Sequence, residues 1–464
     1  MGITLTIIFS VLFLCLWLFS AKMAFLFVVI ARTTVDAVGP SFPLIGIKGG
    51  FNTIELQEVS AVALLLLELV TLVDLLWVRR IKFPDYAWVG MIFITLLFVG
   101  GARTHSNLSG YSECLRAVTW VMIIVILPQL INTWKDVQQF IVAGCIAILI
   151  PILGAFYSII TGYKVGAYYG QMMGGLAGLK DIQGWHQSPP NLGVLVASLT
   201  PFLLYQISVI KKWPLERLLY VLLLFVSTYV VYRTYNRISL LALAVQCAVF
   251  ALIIKPTKKK PLLIAAGIFV VWLLAFKMDV ITIKKQDFNF AEMKGESSIF
   301  QRMTFWVIVT EGWIKSGWSQ RLLGHGIHAV KQLTWGKSAH NDFFNMLYDA
   351  GLVPLMIYLG FLGMITRRMW KLRKRCYNQL PVRALACAGI SILISSMLIA
   401  NTMRFLYSLS WMIYIAIFIS LCLGACNILE KNGRINIEEE KDVVMPSMAE
   451  KSTGKACRST ADAV

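Results

Sequence analysis

Few side chains in this 464-residue sequence can do chemistry, because 58% of it is hydrophobic and only 14% is charged. Those that can are mostly arginines and histidines: Arg233 and Arg237 in "VVYRTYNRISLLAL", Arg302 in "FQRMTFW", Arg321 ahead of "LLGHGIHAV", and His340 in "SAHNDFFNMLYDAGLVP". Guanidinium groups grip phosphate oxygens through paired, charge-assisted hydrogen bonds. An imidazole takes a proton from a hydroxyl near neutral pH without a metal. Anion capture and proton transfer are therefore the chemistry on offer. Each residue also has a plainer explanation: an arginine at a membrane edge snorkels to lipid phosphates or pairs with a carboxylate, and a histidine at a helix end supplies polarity.

Weaker signals accompany these. The turn Gly324-His325-Gly326 lets backbone approach a ligand closely and offers amide hydrogens to an anion, yet no GKS or GKT follows it, so it is not a nucleotide P-loop. In "GWHQSPPN", Pro189 and Pro190 suit the start of a helix and Asn191 can line a polar vestibule. Asn401 and Arg404 in "NTMRFLY" repeat the theme of hydrogen-bonding and positive groups. The histidines are His105, His186, His325, His328 and His340, and no HExxH or close carboxylate partner makes them a metal set. No metal and no cofactor is expected. The nine cysteines are scattered and read as small packing residues, not as a disulfide framework.

The elements that must hold these groups follow from hydropathy. A mean hydropathy of +0.71 leaves too little polar surface for a soluble protein. Apolar runs of membrane-crossing length recur at 56–78, 84–101, 113–132, 137–160, 189–210, 216–232, 237–254, 261–277, 347–366, 384–401 and 407–428. Residues 3–31 add one long tilted helix or two short ones hinged near Lys22, read as a retained anchor and not a cleaved signal. The expected fold is an all-α polytopic membrane protein of about 12 or 13 transmembrane helices. A net charge of +19 does not indicate nucleic acid, because the cations collect in short loops between spans and form no basic domain.

Those loops set the orientation. Arg79, Arg80 and Lys82, then Lys211, Lys212 and Arg217, then Lys255 with Lys258, Lys259 and Lys260, and finally "RRMWKLRKR" at 367–375 all fall on one side when the spans alternate. That side is cytoplasmic by the positive-inside rule. The opposite face receives all five histidines, Arg233, Arg237 and the segment 278–340, which at roughly 60 residues is too long for an idle connection. Its runs "SSIFQRMTFWVIVTEGWI" and "AVKQLTW" can form amphipathic helices over the membrane. The chain thus divides into N-terminal transmembrane helices (1–277), the large outer loop (278–340), C-terminal transmembrane helices (341–429) and a polar tail (430–464) expected to be disordered. If one helix runs from His340 into the span before Arg367, the imidazole stands about 10 Å above the hydrocarbon, and 340, 344, 347 and 351 share a face. Gly351 then permits close helix approach.

The chain resembles the bacterial O-antigen ligase and polymerase superfamily. The likeness rests on an Arg at an outer helix start ("TYNRISLLAL", Arg237), a large outer loop ending in a Gly-x-Gly turn ("LLGHGIHAV"), and a His-Asn element followed by Gly ("HNDFFNMLYDAG", with His340, Asn341 and Gly351). "PPN" at 189–191 looks like a shortened form of a further motif. Ile238 and Pro354 depart from the pattern, where small residues are frequent. The resemblance implies a GT-C-like bundle with a periplasmic loop, working in the bacterial inner membrane on a glycan carried by undecaprenyl pyrophosphate. It also implies that His340 is catalytic, with Arg237 and Arg302 holding the donor. Arg233, Asn341, His325, Gly326, Arg321, Asn191 and Arg404 are the accompanying substrate-binding candidates. Read so, the chain is a polymerase that adds the growing glycan to a second lipid-linked repeat unit. The alternative is a ligase that hands it to the lipid A core. Inner-membrane lipids, a chain-length regulator and a flippase are the expected partners. A transporter, the reading from another class, calls for polar groups at mid-membrane and repeated halves with broken helices, and the sequence shows neither clearly.

Overall fold

The computed structural model describes residues 2–38, 43–45, 54–103, 107–162, 189–210, 214–234, 236–254, 298–336, 338–403, 406 and 408–432. Apart from one short antiparallel pair, β1 (Pro43–Ile45) and β2 (Ile54–Glu55), these residues are helical. The N-terminal half comprises α1 (Gly2–Phe19), α2 (Ala21–Val38), α3 (Leu56–Val73), α4 (Asp85–Ala102), α5 (Asn107–Leu130), α6 (Trp134–Ala147), α7 (Leu149–Thr161), α8 (Pro189–Val209), α9 (Pro214–Arg233) and α10 (Arg237–Ile254). There follow α11 (Ser298–Lys315), the short α12 (Trp318–Leu323) and α13 (Ala329–Leu333), then α14 (Asp342–Asp349), α15 (Leu352–Arg375), α16 (Leu380–Ala400) and α17 (Leu409–Asn432).

Ten of the described helical segments are long and apolar enough to cross a membrane, and they coincide with ten of the eleven runs read from hydropathy. The run 261–277 lies outside the described residues. The N-terminal stretch forms two helices packed on each other, broken at Ser20 and not at Lys22, whose ammonium instead meets Asp136 at 2.5 Å. Asp136 is available there because its second carboxyl oxygen closes a capping box with Thr133 at the start of α6.

The centre of the bundle is α5 against α17, both buried along most of their length, whereas α9 is little buried and turns Leu215, Leu218, Leu222 and Phe225 outward. Hydrogen bonds stitch the central pair: Ser420 Oγ donates to Ile123 O at 3.1 Å, and the Trp120 indole donates to Leu406 O at 3.1 Å. Gly389 lies so close to Cys422 and Met369 that a Cβ there would overlap both sulfurs, the small-residue contact that lets membrane helices approach. All eight described cysteines are free, and six are buried.

The two ends of the bundle differ chemically. At one end Arg373 Nε donates to Ile253 O at 2.9 Å, Arg368 stacks on Tyr86 at 5.1 Å, and Lys22 meets Asp136. At the other, the starts of α8, α10 and α15 meet the ends of α4, α9 and α16.

Candidate functional site

α14 and α15 are not one helix. Gly351 has φ +97° and ends the run, so Asp342–Asp349 forms a separate two-turn helix and His340 precedes it instead of riding on its face. The expected shared face of 340, 344, 347 and 351 is therefore absent. The break exists because another backbone occupies the space: a Cβ on Gly351 would overlap Leu322 O and Gly324 N, and one on Gly324 (φ +76°) would overlap Asp349 O. Only glycine permits this approach at both positions.

Hydrogen bonds then lock the two segments. His325 N donates to Tyr348 O at 3.0 Å, Gly326 N to Asp349 O at 2.9 Å, and Ile327 N to Gly100 O at 3.3 Å. The Asp349 carboxylate accepts Val330 N at 2.7 Å and His328 N at 3.2 Å, starting α13. The His325 ring stacks on Tyr348 with centroids 4.2 Å apart, and its Nε2 lies 2.6 Å from Ser316 Oγ. Burial holds this imidazole below its usual pKa. The amides of the Gly-His-Gly turn are thus engaged within the protein, so Gly326 and His325 build the scaffold. His328 adds an anchor to the bundle, its Nε2 2.5 Å from Glu113 Oε1 on α5.

At the other end of α14 a polar cluster gathers around the turn that follows α16. Asn341 caps α14, accepting Phe343 N at 2.9 Å and Phe344 N at 3.3 Å. Its Nδ2 donates to Asn401 O at 3.2 Å. Asp342 accepts Leu406 N at 2.6 Å, and Arg302, reaching in from α11, donates Nη1 to Thr402 O at 3.1 Å. Burial lowers the Arg302 pKa, but a guanidinium stays charged at any physiological pH. His340 sits beside this group, half-buried, with φ +50°. Left-handed backbone at a non-glycine residue is held only where its neighbours are fixed, and here they are. Ala339 O accepts the Trp306 indole at 2.9 Å, Ala339 N donates to Asn345 at 3.1 Å, and Trp306 stacks on Phe344 at 5.6 Å.

The arginines separate into different environments. Arg237 is the first residue of α10 and is exposed. α10 packs antiparallel along α16, so Arg237 stands at the same end of the bundle as Asn401. The segment carrying Asn191 lies against that helix start: Asn236 Nδ2 reaches Pro190 O at 3.4 Å, and a Cβ on Gly193 would come within 2.9 Å of Thr234 Oγ1 and Ser239 Oγ. Arg233 turns back on its own helix, donating to Tyr229 Oη at 2.9 Å and lying 5.8 Å over its ring. Arg321 bonds Ile314 O and stacks on Trp318 at 5.5 Å. Neither joins the His340 group. Arg404, His105 and His186 lie outside the described residues.

Trp306 is the contributor that residue chemistry alone passed over, and Asp342 gains a definite role as the acceptor for Leu406 N; an aspartate after a His-Asn pair is the helix-start pattern that points to it. Among the described residues no three His, Cys, Asp or Glu side chains gather as a metal site would need. The arrangement offers one imidazole held at a fixed backbone position, one half-buried guanidinium with further donors beyond the one used by Thr402, and side-chain amides between them. No protein-family model and no curated protein matches the chain.

Proposed function

We propose that the protein is a polysaccharide polymerase of the bacterial inner membrane, a GT-C-like bundle of about 12 or 13 helices that transfers a growing glycan from undecaprenyl pyrophosphate to a second lipid-linked repeat unit at the periplasmic face. The observation that carries this reading is the convergence of Arg302 and Asn341 on the turn Asn401–Thr402 beside His340, at the end of the bundle opposite the basic loops. A transferase with a lipid-linked donor needs a cation and a base at the membrane surface, and that pairing is what the cluster supplies.

In the proposed reaction the acceptor hydroxyl attacks the anomeric carbon. The new bond joins acceptor oxygen to that carbon, and the bond to the pyrophosphate oxygen breaks. A ring nitrogen of His340 takes the hydroxyl proton, while Arg302 and the exposed Arg237 bind the pyrophosphate as its charge grows. A single displacement inverts the anomeric centre and needs no paired carboxylates.

The test is purified protein in nanodiscs with a lipid-linked repeat unit, with and without lipid A core, followed by gel for chain length. Laddering without core supports a polymerase. A single transfer that occurs only with core replaces that reading with a ligase, and no glycan transfer under either condition removes the transferase.

A further inference from the structure

Away from that cluster, and against the expectation that no polar group stands clearly at mid-membrane, a carboxyl group, Glu68, lies deep in a span. α3 buries Ser60, Leu64, Leu67, Glu68 and Thr71 on one face and turns Val62, Leu66, Leu69 and Val73 outward. Glu68 therefore points into the bundle, at 0% exposure, about halfway along the span Ser60–Val78. Neither of its carboxyl oxygens has a hydrogen-bond partner among the described residues. Thr71 Oγ1, one turn along the same face, is 3% exposed and likewise without a partner.

The charged side chains described on the helices packed against α3 are committed elsewhere. Lys22 of α2 meets Asp136, Arg32 of α2 donates to Ser60 Oγ at 2.7 Å, Glu113 of α5 meets His328, and Arg116 is exposed. A carboxylate in an apolar interior without a counter-ion is costly, and ionisable groups kept within a membrane usually mark an ion or proton path. Polar groups extend from Glu68 both ways. Toward one end are Ser60 and the buried Arg32. Toward the other, α3 opens into a π-helical turn at Asp74–Val78, where Arg79 Nε pairs with Asp74 at 2.8 Å. Such turns concentrate at functional positions because they widen the helix and loosen its backbone bonding.

We propose that Glu68, with Thr71 beside it, is a mid-membrane binding site for a small monovalent cation, Na⁺ or a proton. A carboxylate and a hydroxyl are hard oxygen ligands suited to either. This site is independent of glycan transfer.

The test uses the full-length protein in nanodiscs and dicyclohexylcarbodiimide, which adds to protonated carboxyls in apolar surroundings. Adducts are mapped by peptide mass across a pH series in NaCl, KCl or choline chloride. The expected result is an adduct at Glu68 that falls several-fold as pH rises. Protection by NaCl but not KCl identifies Na⁺, and Thr71→Val then weakens that protection; equal labelling in all three salts identifies the proton. Glu68→Gln removes the adduct and confirms its position, while the decisive readings come from the unmodified protein. No adduct at any pH in any salt, or labelling that responds to neither pH nor salt, overturns the proposal.

Discussion

The side-chain amide of Asn341 donates to the main-chain carbonyl of Asn401 at 3.2 Å while its carbonyl oxygen caps α14, so one side chain sets both the helix start and the turn beside His340. The two roles can be separated. Asn341→Asp keeps the capping oxygen and loses the donor, whereas Asn341→Ala loses both. The alanine variant is expected to lower thermal stability by about 1–3 kcal/mol. The aspartate variant should unfold close to wild type yet lose activity in the laddering assay. Full activity in a folded Asn341→Asp protein would show that the Asn401 bond does not position the site.

His340 carries two opposing effects at one residue. Its φ of +50° is strained for any side chain, so His340→Gly should be neutral to stabilising, by up to about 1 kcal/mol, in thermal unfolding. The same change should abolish glycan transfer, and His340→Ala should abolish it too. Wild-type-like turnover in folded His340→Ala would sink the base assignment.

Gly324 is pressed against the backbone of Asp349–Ala350 and Gly351 against that of Leu322 and Gly324, both with positive φ. Alanine at either should cost about 1–3 kcal/mol from the backbone conformation alone, with overlap adding to it. Thermal shift in detergent measures the loss. Gly360 has open space where a Cβ would stand, and Gly360→Ala serves as the tolerated control in α15.

Folding of the lock should depend on pH through His325. Burial depresses the pKa of its imidazole, so the unfolded chain binds the proton more readily than the folded one. The contribution is complete above the unfolded value of about 6.5 and is lost as pH falls below it toward the folded value. Melting temperature against pH should therefore decline on the acid side more steeply in wild type than in His325→Gln. Matching slopes would exclude His325 as the titrating group.

Arg302 presents a planar fork of donors, one of which is used by Thr402 O. Lysine keeps the charge but cannot hold that carbonyl and an anion in the same geometry. Arg302→Lys is expected to lower kcat/KM for the lipid-linked donor by about tenfold, or about 1.4 kcal/mol of transition-state binding, with little change in unfolding. An unchanged kcat/KM would free Arg302 from the donor site.

By itself the sequence determined ten of the apolar spans and which of the loops joining them are basic, because lipid demands long apolar helices and both patterns are written in chain order. It also marked Arg302, Asn341 and His340 as residues able to bind an anion and move a proton. Only the tertiary structure decided which of them meet. The sequence favours Arg237 over Arg233 only by its place at a helix start, and the fold separates them further: Arg233 turns back on Tyr229 while Arg237 heads α10 beside α16. The helix expected to run unbroken from His340 stops at Gly351, because the backbone of Leu322–Gly324, distant in sequence, fills the space a side chain would need. The Gly-His-Gly turn that looked ready to bind an anion spends its amides on Gln320, Tyr348 and Asp349 for the same reason. Hydropathy, like the contact of Arg233 with Tyr229 one turn away, is a property of neighbours in the chain, whereas the contacts of Gly324, Gly351 and Asn341 join segments whose approach depends on the packed bundle, and no local pattern encodes them.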